Sequence, residues 1–348
     1  MNVLLLTSHS IAEHDDLDMF TRMGVPTFSI GAYSDPLHPG DDKRPPIPDA
    51  PHYRELVAAT EDQRARMERK YGEPGPEIDW AKARLAPAVI DWADTVIVHH
   101  FPEQWIGGNW DALAGKRVIW RTCGQSDPRL EQAMAIFVRR GLQVVRYSPR
   151  ERDAFTQLGS FAGEDALIRF GKDPDEWYGW TGETAAVGNI TQNMKQRGDA
   201  CGYQFWDEAT RGLYAWPAGP GSEELRGGAG ALDYEAMRKY LRDMRAYLYT
   251  GTRPASYTLG LIEAMMTGTP VVSIGPSAFY PSALFEPLAL IAHDSPQDAH
   301  RALEGLLGDK DAAADISAAQ RAKAVGLFGL DGVMADWRSF LGLDGLWA

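Results

Sequence analysis

The sequence predicts an α/β fold built from two doubly wound domains. Short apolar runs alternate with longer helical stretches, which is the rhythm of parallel β-α-β units with helices on both faces. The rhythm recurs in both halves, and 348 residues exceed the usual size of one domain.

Val3–Leu6 is a short, wholly apolar run, as a strand buried on both faces requires. A helix is expected over 15–23, stopping at Gly24, then a β-rich run over 27–33. Residues 35–51 hold six prolines and read as an irregular loop. Charged residues, among them Arg64, Arg66, Arg69 and Lys70, mark 54–70 as a solvated helix. A helix over 80–93 and strand Thr95–Val98 follow. The series continues with a strand at 117–120, helix 129–140, strand 143–147, helix 149–158 and a last strand at 166–170. Residues 171–183 read as the hinge. The second series runs from Ala185 through strands at 213–216, 246–250 and 270–274 and helices at 233–244, 258–267 and 296–307. A final segment spans 313–341. The expected domains are 1–178 and 179–330, with 331–348 packing back on the first. Ligands of such sheets bind at the carboxyl ends of the strands, so a site facing a cleft between the domains is expected.

Lys and Arg total 35 against 48 Asp and Glu, a net charge of −13. An acidic surface disfavours nonspecific nucleic-acid binding. Two cysteines, Cys123 and Cys201, exclude a disulfide framework and a CxxC-based zinc site, and both read as small buried residues. No run approaches the roughly 20 apolar residues of a membrane span. The opening run has no basic flank and does not read as a signal peptide, so a cytoplasmic location is expected. There is no GxSxG elbow and no GxxxxGK[ST] phosphate loop.

The stretch 246–273 carries the most chemistry. Within it, Glu263-Ala264-Met265 and Gly268-Thr269-Pro270-Val271-Val272 resemble the signature of GT-B glycosyltransferases of the family 4 type. Weaker similarity covers Phe170-Gly171-Lys172-Asp173-Pro174, Val187-Gly188-Asn189 with Lys195 to Gly198, and Phe328 to Trp337 with Phe340. The resemblance spans 166–341, and the first half shares only the rhythm. It implies two Rossmann-like domains and a nucleotide-diphosphate sugar as co-substrate, with no other cofactor and no metal. It also implies transfer with retention at the anomeric carbon.

A helix beginning near Thr258 offers unpaired amides and a partial positive charge, a ready phosphate site. Ser256, Tyr257, Thr258 and Leu259 are therefore candidate donor-binding residues, and Gly188 joins them through the resemblance. The resemblance assigns Glu263 to the ribose diol, a role open to an acceptor-only carboxylate. Two departures stand out. Ala255 replaces the first family Glu, and Asn189 stands where a phosphate-binding Arg is usual. Lys195 or Arg197 matches the family Lys, and Arg253 is a compensating cation for the departing diphosphate. Asp173-Pro174-Asp175 has the form of a metal-binding DxD but falls in the hinge turn.

In the first half, His9 and Ser10 follow one strand, His99 and His100 a second, and Arg121 to Gln125 a third. The resemblance places a histidine near the reacting sugar, with His100 the best match and His99 the next. His9, Ser10, Arg121 and Gln125 are expected at the acceptor or the cleft. Asp15 and Asp16 read as helix-start residues that favour its positive end.

The expected activity is transfer of a sugar from a UDP- or GDP-sugar to a hydroxyl. That hydroxyl belongs to a saccharide, a lipid-linked glycan, a small aglycone or a hydroxylated nucleic-acid base. A sugar-nucleotide epimerase and a non-catalytic nucleotide-sugar-binding protein are the alternatives on the same scaffold.

Overall fold

A computed structural model describes residues 1–61 and 84–343. The expected helical residues 62–70 and 80–83 lie outside that range, as does the end of the 331–348 segment. The described chain divides into two compact units, Met1–Ile168 with the residues from Met334 onward, and Arg169–Val333. The first division thus comes earlier than residue 178, because the turn around Lys172 packs within the second unit. There the Lys172 amide donates to Phe328 O (2.8 Å) and the Leu330 amide to Lys172 O (3.0 Å).

The first unit holds a six-stranded parallel sheet of β1 (Val3–Leu6), β2 (Thr27–Ser29), β3 (Thr95–Val98), β4 (Arg117–Arg121), β5 (Gln143–Arg146) and β6 (Ala166–Leu167). Its order is β2-β1-β3-β4-β5-β6. Every residue of β1 and β3 is buried, as expected when helices cover both faces. Connections leave β1 in one direction and β3 in the other, so the crevice between their carboxyl ends is the switch point.

Around this sheet lie α1 (Ser10–Arg22), α2 (Arg54–Ala59), α3 (Pro87–Trp92), α4 (Pro102–Asn109), α5 (Pro128–Val138) and α6 (Pro149–Gln157). Helix α1 starts well before residue 15 because the His9 ring caps it, Nδ1 accepting the Ala12 amide at 3.4 Å. Asp15 and Asp16 therefore sit within the helix, not at its start. Strand β2 stops at Ser29 because the chain next wraps the Glu13 carboxylate. Glu13 accepts the Ser29 hydroxyl (2.5 Å) and the amides of Ala32 (2.8 Å) and Tyr33 (2.9 Å). Gly31 makes this possible, since a Cβ there would lie 2.2 Å from Glu13 Oε2. Helix α4, which no sequence pattern announced, forms by burying Trp105 and Ile106 against Val96, Val98 and Trp120.

The second unit repeats the plan with β7 (Thr184–Ile190), β8 (Ala215–Ala218), β9 (Met244–Tyr249), β10 (Val271–Ile274) and β11 (Ile291–His293). All pairings are parallel, in the order β11-β10-β9-β7-β8. Its switch point lies between β7 and β9. The helices are α7 (Met194–Arg197), α8 (Tyr203–Ala209), α9 (Tyr234–Asp243), α10 (Leu259–Thr267), α11 (Pro296–Gly308) and α12 (Lys310–Phe328). The final segment expected over 313–341 holds the end of α12 and a closing helix, α13 (Leu330–Leu341), which are separated at Gly329.

From Met334 onward α13 belongs to the first unit. Its Trp337 is fully buried with an edge toward Phe20 at 5.5 Å, and Arg117 Nη2 donates to Phe340 O at 2.8 Å. Among the described residues no helix is long and apolar enough to cross a membrane.

Candidate active site

At the carboxyl ends of β1 and β3, the histidines predicted from sequence gather in one cluster. The His9 and His100 rings stack at 6.0 Å, and those of His99 and His100 lie 6.3 Å apart. Thr7, which sequence reasoning passed over, organises this cluster. Its hydroxyl oxygen accepts the His9 amide at 3.3 Å and lies 3.1 Å from His100 Nδ1. Thr7 is buried, and which atom donates in its bond to Nδ1 is set by the tautomer of the ring. His100 Nε2 faces Cys123 Sγ at 3.5 Å, and the thiol donates to His99 O at 3.6 Å. Burial, followed by the nearby His9 and His99, holds His100 well below the usual histidine range, so it is neutral at pH 7. Burial also pushes the Cys123 thiol up to about 12. Both ring nitrogens of His100 are thus engaged by the protein.

His99 is placed differently. Its Nε2 lies 2.9 Å from Asp16 Oδ2, an approach outside hydrogen-bond angles, and Nδ1 has no hydrogen-bond partner among the described residues. The early start of α1 carries Asp16 from a helix-end position to within 2.9 Å of a histidine, which spacing alone did not show. Ser10 opens α1 and is half-buried. Arg121 corrects its expected placement. It is 1% exposed, donates to Arg146 O (3.4 Å) and to Ile168 O, and lies over the Trp337 ring, so it ties strand ends together inside the unit. Gln125 is exposed on the rim of a cavity that His99, Phe101, Trp120 and Cys123 help to line.

In the second unit, the turn after β9 leads directly into α10, whose N-cap is Thr258 without a side-chain capping bond. The amides of the first turn thus lack their usual cap where Thr258, Leu259 and Gly260 are only half-buried. Ser256 is fully buried beneath the turn, its carbonyl accepting the Glu286 amide at 3.1 Å. The Tyr257 ring packs edge-on to Phe328 at 5.5 Å, with the Arg169 guanidinium 5.7 Å away. Arg169 is itself paired with Glu286 at 2.5 Å.

Several other expected donor-binding residues also make contacts that hold the fold. Gly188 is small because a Cβ would come within 2.9 Å of both Met244 Cγ and the Tyr240 hydroxyl. Asn189 is buried and spends its amide group on Leu248 O at 2.8 Å, tying β7 to β9. Its Oδ1 has no partner among the described residues. Arg253 donates to Asp199 O and to Ala278 O (3.2 Å) and lies over Phe279, which pins two loops. Of the two candidate cations on α7, Lys195 is exposed and Arg197 donates to Gln192 O at 3.3 Å.

Glu263 is buried on α10, and its Oε1 receives Lys172 Nζ at 2.6 Å. The Lys172 ammonium also lies 5.3 Å over the Trp177 ring. Lys172 belongs to the Phe170–Pro174 turn that resembles the family, so the signal for it was present, but nothing in the spacing joined it to Glu263. Among the described residues no group of three His, Cys, Asp or Glu is placed to hold a metal ion.

No model of a known protein family matches the sequence, and no curated protein matches it. Solved structures match over nearly the whole chain. HepE from Anabaena, in complex with UDP-glucose, is 14% identical with a TM-score of 0.67, covering 99% of this chain and 100% of that one. Sucrose-phosphate synthase from Thermosynechococcus elongatus is 14% identical at a TM-score of 0.66, with 99% and 98% covered. A glycosyltransferase from Rickettsia africae is 11% identical at 0.64, with 98% of each chain covered. At such identities the likeness shows the fold, and the fold is the two-domain GT-B fold of these enzymes.

Proposed function

We infer that the protein transfers a sugar from a nucleotide-diphosphate donor to a hydroxyl acceptor. The observation that carries the reading is the start of α10. A nine-residue helix without a side-chain cap opens at the end of β9, beside the β7/β9 switch point. Its first-turn amides, which no N-cap side chain satisfies, and its positive dipole end suit a diphosphate, and they stabilise the charge that develops there as the sugar departs. The likeness in fold to a protein solved with UDP-glucose supports a UDP-sugar as donor. Transfer with retention, without a metal ion and in the cytoplasm, completes the reading.

The test is a thermal-shift screen of UDP, GDP and their sugars. A donor at 100 times its Kd stabilises by about 2.7 kcal/mol through mass action. A clear rise with one nucleotide sugar, followed by its consumption with a hydroxyl acceptor, is the expected result. No rise with any nucleotide would overturn the reading, and epimerised donor without acceptor would redirect it to an epimerase.

A further inference from the structure

We propose that Lys172 holds Glu263 as a structural ion pair and leaves the ribose hydroxyls of the donor unread. The site then takes 2′-deoxynucleoside diphosphate sugars as well as ribonucleoside ones. The proposal rests on the donor reading and names the substrate class that the same site admits.

Position is the first argument. Glu263 stands four residues beyond Leu259, a rise of about 6 Å along α10. Helical side chains lean toward the helix N-terminus. A nucleotide whose diphosphate rests on the first turn of α10 carries its ribose a comparable distance from those amides. Glu263 is also the sole carboxylate between Met244 and Thr267, the stretch that forms β9, the turn and α10. It is therefore the one side chain of that stretch whose two oxygens could accept both hydroxyls of a ribose diol.

Commitment is the second. Lys172 Nζ lies 2.6 Å from Glu263 Oε1, and the ammonium stands 5.3 Å over the ring of Trp177, which is itself buried. The backbone of Lys172 is fixed as well. Its amide donates to Phe328 O and its carbonyl accepts the Leu330 amide, so the residue is tied to the junction of α12 and α13. At 3% exposure the carboxylate has no open face, and a ribose reaches it only by moving the groups that cover it, Lys172 among them.

Energy is the third. If Lys172 leaves, a buried ammonium loses its counter-charge, and that costs more than one hydrogen bond from a hydroxyl returns. Strong rejection of a ligand that lacks a hydroxyl requires a protein group that is left unpaired without it. Glu263 keeps Lys172 whether or not the sugar ring carries its hydroxyls, so their removal strands nothing.

Calorimetry on the full chain tests the proposal with UDP and GDP, each beside its 2′-deoxy and 2′,3′-dideoxy forms. Only the ligand changes, so no variant has to fold. For the base that binds, removing the hydroxyls is expected to weaken binding less than about fivefold, short of the roughly tenfold or more that a lost hydrogen bond to a charged group costs. A larger loss overturns the proposal while the donor reading stands. If no nucleotide of either series binds, the donor reading fails and the proposal falls with it. Ammonium NMR gives a second readout. The Lys172 Nζ resonance, assigned by its absence from Lys172→Arg, is expected to persist at saturating nucleotide. Its disappearance on binding would show that the pair opens for the ligand, which overturns the proposal.

Discussion

Lys172 Nζ lies 2.6 Å from Glu263 Oε1, and each side chain is only 3% exposed. The pair joins the turn that enters the second unit to the middle of α10, the helix whose first turn is the proposed phosphate site. A buried pair is costly to break on one side, because the remaining buried charge loses its ion-pair counterpart. Lys172→Met is expected to lose about 3–5 kcal/mol in chemical denaturation. Lys172→Met with Glu263→Leu should recover much of that loss, since no buried charge then remains. Equal losses in the single and double variants would show that the charge pairing is not the cause.

Gly260 gives a cleaner test of the helix end. A Cβ there would meet its nearest neighbour, Ile190 O, at an ordinary 3.8 Å, so a side chain fits. Gly260→Asp places a carboxylate in the first turn of α10, where the helix dipole favours it and the fold is retained. The same charge would meet the diphosphate. We expect nucleotide affinity to fall at least about tenfold with Tm unchanged or raised. Unchanged affinity by calorimetry would remove the start of α10 from the donor site.

His100 should be a neutral Nε2–H tautomer across the physiological range. Its ¹⁵N imidazole shifts report which nitrogen carries the proton. In the wild type Nδ1 is expected to be bare. Thr7→Val removes the hydroxyl 3.1 Å away and should shift the population toward the other tautomer, whereas Thr7→Ser should not. An Nδ1–H signal in the wild type would show that the Thr7 hydroxyl accepts from the ring instead.

Glu151 supplies a pH dependence. Burial raises its carboxyl from 4.5 to about 7, against the opposing effects of Arg146 and of the Thr122 hydroxyl at 2.5 Å. A raised folded pKa means that the folded state holds the proton more tightly than the unfolded chain. The associated stability is fully present below about pH 4.5 and is lost as pH rises through about 7. Its size is on the order of 3 kcal/mol, at about 1.4 kcal/mol per unit. Glu151→Gln carries no titrating proton, so the wild type minus variant difference should fall across that window. A flat difference between pH 4 and 8 would contradict the burial account.

The sequence by itself determined the class of fold and the positions of most strands. Apolar runs such as Val3–Leu6 and Thr95–Val98 have the composition that only a sheet covered on both faces can bury. It also determined where the candidate residues gather, since residues after those strands must emerge at one edge of each sheet. Tertiary structure decided what each of these residues does. His9 caps α1 although histidine is not a usual cap, and that shift carries Asp16 to within 2.9 Å of His99. Gly188 makes room for Met244 and Tyr240, Asn189 ties β7 to β9 and Arg253 pins two loops, contacts that no pattern in one dimension shows. Helix α4 and strand β11 escaped the sequence reading because their formation depends on partners far away in the chain. Local patterns report which face of a segment must be buried. The partner that a polar side chain meets depends on packing between segments, and no spacing within one of them encodes it.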